Sequence, residues 1–274
     1  MKNQKEVILK KLNANEDIPI HSVVGFIGKR KTGKSTLIKD VMFKFRHALD
    51  WGVVMCATEE AEPFYKEFVP DCFCHTAWKP ELIADMIKDQ EAHKLSGSTI
   101  RRNAFVVIDD CNYEKSMWRD TVMRNLMMNG RHFNITVFVS SQYLMDIEIS
   151  LRSNIDFLFV LRDNNVQNMK KLYSNYFGNV ESFQAFRSIM KSCTEDRNCL
   201  VLDCCSSSNE LDKTLFYYKA KIHNLFYVGN ENFWKTAKSI YNPFYKSKEL
   251  EKNSFKGRRA ILAPIASDQK VIGI

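Results

Sequence analysis

Gly28-Lys29-Arg30-Lys31-Thr32-Gly33-Lys34-Ser35 satisfies every fixed position of the pattern G-x-x-x-x-G-K-[ST]. Residues 20–27, just before it, are mostly apolar, as a buried strand is. Just after it, Leu37, Ile38, Val41, Met42 and Phe45 recur at helical spacing. Strand, glycine-bearing turn and helix in that order form a cradle for phosphate. Backbone N–H groups must wrap the ligand, so side chains have to be missing where the chain turns tightly, and Gly28 and Gly33 meet that need. The positive end of the following helix faces the same point. Lys34 would carry charge to the β- and γ-phosphates, and the Ser35 hydroxyl would ligate Mg2+. Gly28, Lys29, Arg30, Lys31, Thr32, Gly33, Lys34, Ser35 and Thr36 are therefore the candidate nucleotide-binding segment. Within that segment, Lys29, Arg30 and Lys31 read as solvated loop charges before they read as ligands, with a contact to a neighbouring subunit or nucleic acid as the further alternative.

Two further strand ends carry chemistry. Hydrolysis of a nucleoside triphosphate needs a second group for the metal and a means of activating water. Phe105-Val106-Val107-Ile108-Asp109-Asp110 offers two carboxylates where a buried strand stops, the edge at which open α/β sheets bind ligands. Asp109 is expected to hold the metal and Asp110 to orient and polarise water. Adjacent acids repel, and a cation between them would relieve that; Asp is also common where a strand simply turns. Thr136-Val137-Phe138-Val139-Ser140-Ser141-Gln142 is a third buried strand with a polar end, and Gln142 is a candidate for sensing the γ-phosphate. Arg131 and Arg152 flank that strand. Either is a candidate for insertion into a neighbouring subunit's site, or for a surface salt bridge.

The remainder sets the frame. Apolar stretches at 53–57, 72–77, 104–108, 135–140, 155–161, 199–202 and 215–219 predict strands, and helical patterns fall at 34–48, 80–94, 116–129, 164–176 and 180–191. Strands apolar on both faces and separated by helices imply an α/β fold with a mostly parallel sheet covered on both sides. The 274 residues hold 40 Lys+Arg against 32 Asp+Glu, a net +8 that favours a polyanionic partner. No apolar run reaches the ~18 residues of a membrane helix, and the first residues lack a signal peptide, so a cytosolic, soluble chain is expected. The eight cysteines then read as reduced thiols; Cys72, Cys74 and His75 offer a metal-ligand set or, more simply, small strand residues. Residues 1–19 read as an N-terminal arm, 20–242 as the phosphate-loop domain, and 243–274, with seven Lys/Arg and three acids, as a basic tail.

The ordered motifs resemble a known family. Phosphate loop, Asp-Asp strand, Gly130-Arg131-His132-Phe133-Asn134, Ser141-Gln142-Tyr143 and Leu151-Arg152-Ser153-Asn154-Ile155-Asp156-Phe157 are similar to the genome-packaging ATPases of poxviruses and other large cytoplasmic DNA viruses, within the FtsK–HerA superfamily. The resemblance spans about residues 20–230 and is most specific over 104–163. It implies a RecA/FtsK-like P-loop NTPase, a three-layer sandwich with an additional strand between the phosphate-loop strand and the acidic strand, a place that Val53–Ala57 fits. It also implies a homo-oligomeric ring that uses ATP and Mg2+ to pump double-stranded DNA into a capsid in the host cytoplasm, with capsid or internal-membrane assembly proteins as further partners. Carried over by position, Lys34 and Ser35 bind nucleotide and metal, Asp109 is the metal acid, Asp110 the catalytic carboxylate, Gln142 the sensor and Arg131 the first choice for the trans-acting arginine. Cellular members commonly carry Glu where this chain has Asp110, whose shorter arm places the carboxylate differently. Two other readings fit a phosphate loop: a small-molecule kinase, and a nucleotide-gated assembly scaffold with little turnover.

Overall fold

The computed structural model describes residues 9–100, 102–111 and 115–240, so the basic tail and the first eight residues of the arm lie outside the described residues. Strands β1 (Lys10–Lys11), β2 (Val23–Ile27), β3 (Trp51–Cys56), β4 (Cys74–His75), β5 (Ala104–Asp109), β6 (Ile135–Ser141), β7 (Phe157–Val160), β8 (Asn198–Asp203) and β9 (Leu215–Lys219) build one sheet in the order β1-β9-β8-β7-β2-β6-β5-β3-β4. Every pairing is parallel except those of β8, which runs against β7 and β9. The helices are α1 (Ala14–Asp17), α2 (Lys34–Phe45), α3 (Pro80–Leu95), α4 (Thr121–Asn129), α5 (Ile149–Arg152), α6 (Val166–Tyr176), α7 (Phe183–Cys193), α8 (Leu211–Thr214) and α9 (Glu231–Ile240).

Alternation along the buried strands sorts the core into two layers. Ala104, Val106 and Ile108 of β5 pack with α3, α4, α6 and α7, while Phe105 and Val107 face α2 and α9. This is the three-layer α/β sandwich the apolar strands imply. The strand between β2 and β5, however, is β6 and not the stretch at 53–57; β3 lies on the far side of β5. Order along the chain and order across the sheet differ because each parallel connection crosses a face and can land on either side of the starting strand. The exchange matters, since it seats Ser140, Ser141 and Gln142 between the phosphate loop and the two acids.

Two further differences have local causes. The pattern from Ser116 does not start the α-helix; Lys115–Arg119 is a 3-10 turn, and Asp120 caps α4 by accepting from the Val122 and Met123 N–H groups. Residues 10–19 are built into the domain: β1 pairs with β9, and Leu12, Ala14 and Ile18 are buried beside α2. Cys74 is buried on β4, Cys72 is exposed, and among the described residues no metal-binding group of three or more His, Cys, Asp or Glu occurs. Among the same residues no helix is long and apolar enough to cross a membrane.

The phosphate-loop helix is anchored from behind. Asp40 of α2 is 0% exposed and accepts from the Tyr218 hydroxyl (2.7 Å), the Lys221 N–H (3.1 Å) and a ring nitrogen of His223. Phe43, one turn on, stacks on the His223 ring. A buried carboxylate with these partners joins α2 to β9 and the chain that follows it, and removing it strands three polar groups. Asp40→Ala is expected to lower the unfolding free energy by about 3 kcal/mol; an unshifted urea midpoint would contradict the anchor.

Candidate active site

Because β2, β6 and β5 are parallel neighbours, their C-terminal ends open on one rim of the sheet, with Ile27 level with Ser141 and Ile108 with Val139. The chain leaves β2 at Gly28, whose N–H donates to the Ser141 carbonyl at 3.1 Å. A Cβ at Gly28 would lie 2.8 Å from both Leu161 Cδ1 and Thr32 Oγ1, so a side chain there would have to displace both. Gly33 has φ +94°, a left-handed conformation that side chains disfavour. The residue preceding α2 thus has no side chain to cap it, and the first-turn N–H groups stay available to an anion. Thr32 closes the loop by donating to the Lys29 carbonyl at 2.7 Å. Thr36 is exposed on the first turn of α2, and Arg30 and Lys31 are exposed on the loop.

The motifs that lie far apart in the chain meet here. Ser35 Oγ donates to Asp109 Oδ2 at 3.1 Å across 74 residues of sequence. Lys34 Nζ lies 3.7 Å from Asp110 Oδ1, to which Gln142 Nε2 also donates at 2.9 Å. Lys34, Ser35, Asp109, Asp110 and Gln142 are thus one constellation. Lys34 is paired with Asp110 and not with Asp109. Asp110 adopts φ +57°, which turns its carboxylate to Lys34 and Gln142 while Asp109 faces α2. Positive φ in a residue with a Cβ is strain of a kind found at active sites. Ser35 and Asp109 present hard oxygen donors side by side, the chemistry Mg2+ takes.

Two neighbours of Asp109 escaped the sequence reading. Ser140 Oγ donates to Asp109 Oδ1, and accepts the Asp110 N–H at 3.3 Å. The Tyr65 hydroxyl donates to Asp109 Oδ2 at 2.7 Å. Burial and the Asp109 charge push that phenol well above its ordinary value, so it remains a protonated donor. Burial, with Asp109 second, likewise raises the Cys56 thiol to about 11, which rules it out as a nucleophile near neutral pH. Ser140 was findable: Phe138 and Ser140 share a strand face, and once β6 is known to flank β5, that face is the one Asp109 uses. Tyr65 lies in the irregular connection from β3 to β4, where no periodicity points to it.

The remaining cations lie elsewhere. Lys29 is held at 2.8 Å by Asp163, just beyond β7. Burial works to raise the Asp163 carboxyl, but hydrogen bonds from Lys29, the Asn165 N–H and Asn168 outweigh it and hold it below its ordinary value. Arg131, in the turn before β6, is at the opposite end of that strand from Gln142 and lies 3.8 Å from Asp156. It does not reach the phosphate loop of its own chain. Arg152 is buried, and its Nη1 donates to Met145 Sδ and Asn175 Oδ1, both at 3.3 Å.

The family model described as Poxvirus A32 protein matches residues 20–206. An uncharacterised protein of Acanthamoeba polyphaga mimivirus is 32% identical over 89% of this chain and 87% of its own length. One of Frog virus 3 is 34% identical over 77% of this chain and 66% of its own. Among solved structures, the genome packaging NTPase B204 of Sulfolobus turreted icosahedral virus 2, in complex with ATP-gammaS, superposes with a TM-score of 0.52 at 13% identity, over 75% of this chain and all of that one. EssC of Geobacillus thermodenitrificans gives 0.53 at 12%, over 80% of this chain and 43% of that one. At such identities the likeness to the solved structures is one of fold.

The Lys29–Asp163 pair has a pH signature. A carboxyl held low in the folded chain lends stability that is complete above the ordinary carboxylate range and drains away as pH falls through the lowered value. Asp163→Asn is therefore expected to flatten the acid limb of the stability profile below about pH 5 in denaturant titrations. An unchanged limb would contradict the clamp.

Proposed function

The chain belongs to the family of the poxvirus A32 protein, and from that premise we propose that it is an ATP-hydrolysing motor that drives double-stranded viral DNA into a capsid. The observation that carries this reading is the convergence of Lys34 and Ser35 with Asp109, Asp110 and Gln142 on one sheet rim. The shared fold with B204, a genome packaging NTPase crystallised with an ATP analogue, supports it.

The residues divide the work. Loop N–H groups and the start of α2 receive the phosphates, with Lys34 as a compact charge among them. Ser35 and Asp109 would hold Mg2+, whose charge offsets that of the phosphate oxygens. Asp110, turned out of the strand by its positive φ and bonded to Gln142, takes the proton of the attacking water. Gln142 joins the carboxylate to the end of β6, so a change at the γ-phosphate is felt along the strand next to the phosphate loop. Arg131, remote from its own loop and near Asp156, is the first choice for the arginine that a homo-oligomeric ring would insert into a neighbouring subunit's site. The net +8 suits a grip on phosphates that ignores sequence. Such a motor would work in the host cytoplasm.

ATP turnover measured with and without duplex DNA tests the proposal. Stimulation by duplexes of any sequence is expected, weakening as salt rises. Lys34→Ala should abolish turnover, and Asp110→Asn should lower kcat about 100-fold or more while ATP still binds. Turnover that survives Lys34→Ala would refute the site; ATP binding with no turnover even with DNA would favour a nucleotide-gated scaffold instead.

A further inference from the structure

The connection between β3 and β4 has no regular structure beyond two 3-10 turns, yet it delivers a fully buried hydroxyl to the acid at the end of β5. Its order has a definite source. Glu59, 0% exposed, accepts the backbone N–H groups of Phe64 (3.0 Å), Tyr65 (3.1 Å) and Lys66 (2.8 Å), so one buried carboxylate ties the turn that carries Tyr65. The Tyr65 ring is wedged between Phe64 and Phe68, with centroids 5.2 and 5.7 Å away. Lys39 of α2 binds Glu67 and lies over the rings of Phe64 and Phe68, joining the phosphate-loop helix to the same connection. From the other side, the Val228 N–H donates to the Phe68 carbonyl at 3.0 Å.

We infer that Tyr65, braced by Glu59, is a positioning residue that fixes the Asp109 carboxylate in the orientation facing Ser35. The inference rests on the reading of Ser35 and Asp109 as the metal-holding pair. A carboxylate at the end of a strand can rotate about its side-chain bonds. Ser140 holds only Oδ1, on one side, and Ser35 belongs to the loop that must itself respond to nucleotide. Tyr65 is the partner of Oδ2 that lies outside the phosphate loop, and its geometry is set by the core. Without its hydroxyl, Asp109 keeps its charge and its burial but loses the contact that directs Oδ2 to α2, so cation binding carries the cost of reorienting it.

The test compares the full chain with Tyr65→Phe, which deletes the hydroxyl alone. A fluorescent ATP analogue is titrated at rising Mg2+, and Mn2+ binding is followed by electron paramagnetic resonance. Tyr65→Phe is expected to raise the Mg2+ concentration for half-maximal binding about 10- to 100-fold, and to weaken Mn2+ binding in parallel, while analogue binding in EDTA is unchanged. A merely structural role would lower the melting temperature and leave the Mg2+ requirement alone, and that result overturns the inference. Should Tyr65→Phe fail to fold, Glu59→Gln carries the test: a raised Mg2+ requirement supports the inference, and an unchanged one overturns it. An unsubstituted chain that binds no analogue at any Mg2+ concentration refutes the phosphate-loop reading, and the inference falls with it.

Discussion

A buried carboxylate must be satisfied by donors, and Asp109, 2% exposed, accepts from three hydroxyls on three different elements: Ser35 on α2, Ser140 on β6 and Tyr65 in the β3–β4 connection. That requirement organises the rim. It needs β6 beside β5 so that Ser140 can reach, and β2 beside β6 so that the loop leaving β2 brings Ser35 to the same spot. It also needs α2 on the sheet face that Phe105, Val107 and Asp109 share. A strand order that separated β5 from β6 would leave the carboxylate wanting partners inside the molecule, at a cost of several kcal/mol.

Asp110 solves the complementary problem. In an ordinary strand its side chain would enter the opposite core layer, among the residues that pack with α3 and α4. The left-handed backbone at this position turns the chain instead, and the carboxylate comes to rest against Lys34 and Gln142. Two adjacent acids thus become two separately partnered groups, one built into the fold and one beside Lys34 and Gln142. The strained residue sits at the sheet rim beside Lys34, and α2, tied down through Asp40 and His223, supplies the support.

The legible part of this arrangement is what one local interaction decides. A phosphate cradle needs glycine at fixed places, a lysine and a hydroxyl, so Gly28 to Ser35 announces itself. Buried strands need apolar side chains on both faces, so β2, β5 and β6 do too. Strand order is set by crossovers packing over a face, a non-local choice, and for that reason the sequence points to 53–57 for the place between β2 and β5 that β6 occupies. Tyr65 was hidden for a related reason: it is placed by Glu59 capturing backbone N–H groups, an interaction with no spacing rule. Strand β1 was illegible because two lysines pair through their backbone alone. Helix α9, with Phe233 and Ala237 buried, carries too short an apolar stripe to stand out in a charged stretch.

Central to the proposed motor is one cation site, formed by Ser35 and Asp109, at the foot of a bound triphosphate. Anomalous diffraction from crystals grown with Mn2+ and a non-hydrolysable ATP analogue addresses this directly. The expected map has a manganese peak within bonding distance of Ser35 Oγ and on the Asp109 side of the rim, with the phosphates lying along the Gly28–Ser35 loop and against Lys34. Nucleotide density elsewhere on the molecule, or manganese remote from both oxygens, would contradict it.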